Sequence, residues 1–397
     1  MNSSEVSFYT LGIAPSILTI LDRLKFTVPT QIQLQAIPIG LEGKDMMGIA
    51  QTGTGKTLAF GIPMLQRLAQ IKGRGLILVP TRELALQVDE NLRKITPALG
   101  IKTVVLIGGD SMGKQIQGLR ANPRIIIATP GRLIDHLQQK TVRLNDAHIV
   151  VLDEADRMLD MGFAPQIKDV LRQVPAQRQT MLFSATMPQE VLGIANTYMK
   201  LPVQIEIARS GTAADKITQE LFIVRKELKN ELLASVLSQY HGPVLVFART
   251  KFGAARLVKT IRGMRHSAAE IHSDRSLGQR REALDGFKAG KHRVLVATDI
   301  ASRGIDVKGI ELVINYDLPD DPENYVHRIG RTGRAGHAGH AISFATPDQR
   351  SDVAGIERVM SLKLPVASSH PTVALEQFSK PQVVFRSSSR FGRRRRR

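Results

Sequence analysis

Ile149-Val150-Val151-Leu152-Asp153-Glu154-Ala155-Asp156 decides how this chain is read. Four apolar residues, three of them β-branched, run directly into two adjacent carboxylates. An unbroken apolar run of this kind is the pattern of a strand buried on both faces of a parallel sheet. The carboxylates then sit at its carboxyl end, where open α/β sheets place their ligands. Asp153 is placed there to hold a Mg2+ ion. Glu154, one residue on, is placed to orient or deprotonate a water. Taken alone, the octet also fits a buried strand that ends in a solvated acidic turn, so its surroundings must decide.

Upstream lies Ala50-Gln51-Thr52-Gly53-Thr54-Gly55-Lys56-Thr57. Gly53 and Gly55 let backbone N–H groups turn inward around phosphate oxygens. Lys56 reaches the β- and γ-phosphates, and the Thr57 hydroxyl reaches Mg2+. The strict phosphate-loop pattern has Gly where this chain has Ala50. With Asp153 behind a buried strand further on, the two segments together point to nucleotide binding. Earlier still, Phe26-Thr27-Val28-Pro29-Thr30-Gln31-Ile32-Gln33 carries glutamines, whose amide offers a donor and an acceptor to an adenine edge. A solvated helical glutamine has the same signature. Ile13, Ile17, Leu18, Leu21 and Leu24 form an amphipathic stripe, with Pro15 suited to a first helical turn.

Further strands are expected at Leu76–Val79, Thr103–Ile107, Ile125–Ala128 and Met181–Phe183, with helical spacing at Arg82–Leu92 and Gly131–Gln139. Alternating strands and helices imply a parallel sheet covered on both sides. Arg82, Gly109, Thr129, Arg132, Ser184 and Thr186 fall in turns after these strands. Such residues supply N–H groups, hydroxyls and charge to a phosphate backbone without reading bases.

Around Ala208–Asp215 the composition turns small and polar, which reads as a linker. A second series follows, with strands expected at Glu220–Val224, Val244–Ala248, Ala268–Ile271, Val294–Ala297, Leu312–Asn315 and Ala341–Phe344. This half has no phosphate loop. It carries Thr298-Asp299-Ile300-Ala301-Ser302-Arg303-Gly304-Ile305-Asp306 and His327-Arg328-Ile329-Gly330-Arg331-Thr332-Gly333-Arg334. Arg331 and Arg334 share a face if their segment is helical. A second domain without its own nucleotide loop but with an arginine cluster suggests arginine fingers, which reach a γ-phosphate held by the first. A plain basic patch is the alternative. Beyond residue 366 the periodicity fades into a loop-like, Arg-rich tail.

Composition bounds the partners. The net charge is +19, from 55 Lys+Arg against 36 Asp+Glu. The last twelve residues hold seven Arg, yet the rest still carries +12. Such an excess points to a polyanion, nucleic acid before membrane. The absence of cysteine excludes disulfides and thiolate metal sites and fits a reducing compartment. No apolar run is long enough to span a bilayer and no leader pattern opens the chain, so a soluble cytoplasmic protein is expected.

Taken together, these segments resemble the DEAD-box ATP-dependent RNA helicases of superfamily 2, whose name Asp153-Glu154-Ala155-Asp156 spells. The similarity spans about residues 6–350 in family order, and Asp153 through Phe163 is most similar to the bacterial RhlE-type branch. The resemblance implies an α/β fold of two tandem RecA-like domains, each a mostly parallel sheet flanked by helices. It sets them at 1–207 and 218–365, with a 208–217 linker and a short disordered basic tail over 366–397. ATP, Mg2+ and RNA are the implied ligands. Phe8, Phe26 and Gln33 correspond to the adenine-recognising motif, and residues 50–57 with Lys56 and Thr57 to the phosphate and metal contacts. Asp153 corresponds to the metal acid, Glu154 to the catalytic glutamate, and Asp306 to a ribose contact. Ser184 and Thr186 correspond to the motif coupling hydrolysis to unwinding, and Arg331 and Arg334 to the arginine fingers. Arg82, Gly109, Thr129, Arg132, Arg280, Thr298 and Arg303 fall in segments that follow the RNA backbone. Protein partners in ribosome assembly or RNA decay rest on family association. The family's usual Gly and Pro are Lys25 and Gln31 here, its Gly is Ser273, and its Gln is Leu277. Leu277 cannot make a glutamine's hydrogen bonds, so weaker RNA contact or domain closure is expected there.

Overall fold

The apolar run before Asp153 is the strand β5 (Ala147–Leu152), and all of Ile149–Leu152 is buried. The computed structural model describes residues 7–50, 53–207, 217–299, 307, 309–333 and 339–379. Its first sheet also contains β1 (Met46–Ile49), β2 (Arg74–Leu78), β3 (Thr103–Leu106), β4 (Ile125–Ala128), β6 (Gln179–Ser184) and β7 (Val203–Glu206). The strand order is β3-β4-β2-β5-β6-β1-β7, and every pairing is parallel. β5 is therefore central, flanked by β2 and β6, which is why its residues are apolar on both faces.

The second sheet contains β8 (Ile217–Ile223), β9 (Val244–Phe247), β10 (Ala268–Ile271), β11 (Val294–Ala297), β12 (Leu312–Asn315) and β13 (Gly339–Ala345), in the order β10-β11-β9-β12-β13-β8. It too is wholly parallel. Helices cover both faces of each sheet, and apolar clusters fill each interface, two of them on one face of the second sheet.

Two strands of the first sheet lie outside the sequence reading. β1 contains Gly48, which a strand pattern disfavours, but a Cβ there would meet the Phe183 ring at 2.7 Å. β7 is an edge strand in which only Ile205 is fully buried, so its apolar signal is weak. The helix Pro15–Arg23 begins at the expected proline.

The segment expected to be loop-like from residue 366 has no helix or strand over 367–379, but it is packed on the second sheet. Ala367 N–H donates to Leu221 O at 2.9 Å, Glu376 N–H to Ile223 O at 2.8 Å, and Val373 is buried in a cluster of the second sheet. These contacts tie 366–379 along β8. The Arg run at 393–397 lies outside the described residues. No described helix is long and apolar enough to cross a membrane.

Candidate nucleotide site and RNA groove

The phosphate loop joins β1 to the helix Lys56–Gln70. Gly53 (φ +88°) and Gly55 (φ +93°) both adopt left-handed backbone, which other residues enter at a cost. Ala50 N–H donates to Ser184 O at 2.9 Å, which anchors the loop to β6. Lys56 is 6% exposed; its Nζ donates to Ala50 O at 3.0 Å and stands 4.0 Å from Asp153 Oδ1. Gln51 and Thr52 lie outside the described residues.

Asp153 and Glu154 follow β5 directly and are each 3% exposed. Glu154 adopts a left-handed conformation (φ 54°, ψ 51°) as the N-cap of the helix Ala155–Asp160. A non-glycine residue held there is a local strain of the kind that clusters at active sites. Its N–H donates to Asp153 Oδ1 at 3.0 Å. The two neighbouring carboxylates titrate in opposite directions. Burial pushes Asp153 up to about 6, against the pull of Lys56. Burial also acts to raise Glu154, but Arg157, Lys56 and Arg331 outweigh it and hold the group down to about 2. Arg157 is 2% exposed, and its Nη1 donates to Glu154 Oε2 at 3.0 Å.

Asp156 connects this strand end to the next one. Its Oδ2 accepts from Ala185 N at 3.0 Å, Thr186 N at 2.9 Å and Thr186 Oγ1 at 3.0 Å, while its own N–H donates to Ser184 Oγ at 3.2 Å. Ser184 and Thr186 are therefore read by the last acid of the Asp-Glu-Ala-Asp run. Nothing in the sequence pairs Asp156 with these two residues, which lie 28 and 30 positions on.

Around the adenine-recognition segment, Gln33 is 4% exposed and already engaged. Its Oε1 accepts from Thr30 N at 2.9 Å and its Nε2 donates to Gly55 O at 3.0 Å, so it clamps the phosphate loop. Phe26 is 41% exposed and offers a ring face. Phe8 does not: it is 3% exposed within the apolar cluster under the first sheet, so it supports the segment rather than presenting a ring to a base. Lys25, where the family has Gly, has φ 60° and carries the glycine's backbone conformation on a side-chain-bearing residue.

The second half faces this site. Arg331 is 2% exposed, its Nε donates to His327 O at 3.3 Å, and its charge helps to keep Glu154 ionised. The helix Pro322–Ile329 ends before it, with Gly330 at the C-cap, so Arg331 projects from a turn. Arg334 itself, with Arg303 and Asp306, lies outside the described residues. His327 is pushed well below the usual imidazole range by burial and then by the Arg157 charge. Arg328, which the sequence reading left without a role, is 2% exposed. It grips Asp299 with Nε–Oδ1 2.5 Å and Nη2–Oδ2 2.7 Å, donates to Asn315 Oδ1 at 3.1 Å, and lies 4.8 Å above the Phe247 ring. An arginine this satisfied braces the segments that carry Thr298 and Arg331.

A groove of about 300 Å3 runs beside the site, lined by Arg82, Thr129 and Arg132 from the first half and by Ser273 and Arg280 from the second. Gly109 adjoins it with φ +77°, where a Cβ would collide with the Arg82 guanidinium. Thr298 sits at the end of β11, its N–H donating to Ile271 O at 3.3 Å. Cationic and hydroxyl groups in one groove suit a phosphodiester backbone.

Residues 30–194 match the DEAD/DEAH box helicase model, and residues 226–336 match the helicase conserved C-terminal domain model. Over 362 residues the chain is 42% identical to the DEAD-box ATP-dependent RNA helicase CshA of Bacillus subtilis, covering 90% of this chain and 73% of that protein. This chain is a DEAD-box RNA helicase. Its paired sheets superpose on S. cerevisiae Dbp5 bound to RNA and ADP BeF3 with a TM-score of 0.83, at 31% identity over 91% of this chain and 95% of that one. A Dbp5 variant bound to Nup159, a Gle1 variant, IP6 and ADP gives 0.61, also at 31% identity, over 90% and 95%. Identity and coverage barely differ between the two matches. The chain superposes better on the complex of Dbp5 with RNA and ADP BeF3 than on the complex with Nup159 and Gle1. The helicase is thus an RNA-stimulated ATPase that remodels RNA, organised as two RecA-like units.

Proposed function

We propose that ATP binds to the first unit, over residues 50–57, and is hydrolysed only when RNA draws the second unit against it. The supporting observation is the convergence on Glu154 of Lys56 and Arg157 from one half and Arg331 from the other. Phe26 stacks on the base and Gln33 reads its edge, reporting occupancy to Gly55 through the bond it already makes. Lys56 holds the β- and γ-phosphates. Glu154, kept ionised and oriented by Arg157, positions the attacking water. Arg331, with Arg334, neutralises charge developing on the γ-phosphoryl, and Asp306 holds the ribose.

The donor set fits Mg2+. A buried carboxylate (Asp153) and a hydroxyl (Thr57) are hard oxygen ligands, and no described cluster of three or more His, Cys, Asp or Glu forms a complete cage. An ion held by few protein ligands and by phosphate oxygens is the usual Mg2+ arrangement. Bound there, it would supply charge neutralisation across the β- and γ-phosphates.

On the RNA side, Arg82, Gly109, Thr129, Arg132, Arg280, Thr298 and Arg303 form a backbone track with little sequence preference. Closing this track around a bent single strand displaces a few base pairs. Asp156 transmits the state of the cleft to the track through Ser184 and Thr186. The units extend over about 1–207 and 218–365 and are joined through 208–217; the helicase works in the cytoplasm. The run from Asp153 to Phe163 supports placement in the RhlE-type branch.

Glu154→Gln tests the site. The amide keeps the shape but loses the charge, so nucleotide and RNA binding should persist while turnover falls by about two to four orders of magnitude. Retention of full turnover would remove Glu154 from the mechanism. A long-lived RNA complex with negligible unwinding in the wild-type protein would make it an ATP-gated clamp instead.

A further inference from the structure

Apart from the catalytic cleft, the halves meet where the helix Leu277–Lys288 approaches the helix Arg82–Arg93. Arg280 Nη2 lies 2.8 Å from Glu83 Oε1, with both side chains 8% exposed. Such a pair is a poor source of net attraction, because desolvation offsets most of the Coulombic gain. Here it is also incompletely satisfied: Arg280 Nε and Glu83 Oε2 have no hydrogen-bond partner. Another contact must favour this seam. Leu277 packs against the apolar cluster beneath the first sheet, whose other members all lie at residue 207 or below. With Leu86, which packs on the same cluster, and Leu284, it lines a seam cavity of about 570 Å3. Leu277 is the first residue of its helix. A capping box fixes that end: Ser276 Oγ accepts from Gln279 N at 3.2 Å, and Ser276 N donates to Gln279 Oε1 at 3.0 Å.

We propose that Leu277 is an apolar latch: it docks on the first unit beside Leu86 and favours the closed, RNA-gripping arrangement. This deepens the proposed function and rests on it. A glutamine at this position would act through hydrogen bonds; the leucine acts by removing apolar surface from water when the halves meet. Leu277 is a positioning residue, remote from the reacting phosphate.

The test measures the affinity of the full-length protein for a single-stranded RNA, with and without a non-hydrolysable ATP analogue. Leu277→Ala should weaken analogue-dependent binding about five- to tenfold and leave nucleotide-free binding unchanged. Leu277→Met should retain most of the effect, and Leu277→Gln should not. Leu86→Ala combined with Leu277→Ala should lose less than the product of the single losses, as expected for residues in one contact. The fold-loss should also persist at higher salt, unlike the phosphate contacts. Equal weakening with and without nucleotide, full binding by Leu277→Gln, or additive losses would overturn the latch. If wild-type binding does not respond to the analogue at all, the proposed function fails together with it.

Discussion

At Glu154 the two halves of this helicase meet through charge; at Leu277 they meet through apolar packing. Around Glu154, Lys56, Arg157 and Arg331 surround one buried carboxylate, an arrangement that has little value until a phosphate chain is there to share the positive charge. At the seam, Leu277 rests on the first unit's apolar cluster, a contact that involves no charge. The first contact is specific and conditional, the second general and weak. A switch needs both: a ligand shifts the balance only by its differential affinity for the two arrangements, so the resting bias must stay within its reach.

The largest expected effect falls on the charged contact. Arg331→Ala should reduce RNA-stimulated hydrolysis by about three to five orders of magnitude while ATP binding to the first unit persists. Loss of ATP binding in proportion to turnover would make Arg331 a ground-state contact and erase the contrast between the two interfaces.

Acid should expose the cost of packing the halves and their cores around neutral imidazoles. His136, His266, His272, His292 and His327 are all held below the ordinary histidine range, with burial as the leading cause. In the unfolded chain they take up protons near pH 6.5 that the native state refuses, so stability falls as pH drops from 7 towards 5. Asp153, raised to about 6, acts in the opposite sense, as do Glu83 and Glu323, also raised by burial, but they are three groups against five. His327, the most deeply shifted, contributes at most about 1.4 kcal/mol per pH unit in this window. Melting temperatures across the range should fall, and His327→Asn should flatten the slope. A flat wild-type profile would mean that these histidines protonate in place.

The smallest effect concerns a residue outside both contacts. Lys25→Gly relieves a left-handed backbone next to Phe26 and should raise stability by about 0.5–1 kcal/mol, read as a slightly higher melting temperature. A destabilised variant would mean that the Lys25 side chain compensates for its backbone.

These residues also show what a sequence makes legible. Asp153 and Glu154 could be placed because a central parallel strand needs continuous apolar residues, and its carboxyl end is then fixed by chain direction. The phosphate loop could be placed because Gly53 and Gly55 meet a backbone requirement visible in one dimension. Three-dimensional pairings could not. Asp156 gripping Thr186, Arg328 gripping Asp299, and Glu83 facing Arg280 join residues 29, 30 or many more positions apart. Phe8 was expected at a base and lies in the core, because aromaticity alone does not distinguish a stacking ring from a packing one. Leu277 was expected to weaken RNA contact or domain closure, because the hydrogen bonds it cannot make are evident in sequence; the apolar surface that receives it is not.

The most direct test of the central claim, a hydrolysis site completed across the cleft by RNA, is steady-state ATP hydrolysis with no nucleic acid, with single-stranded RNA, and with single-stranded DNA of the same sequence. Strong stimulation by RNA alone is expected. An ATPase rate unchanged by RNA would show that the site is complete without it, and would contradict the claim.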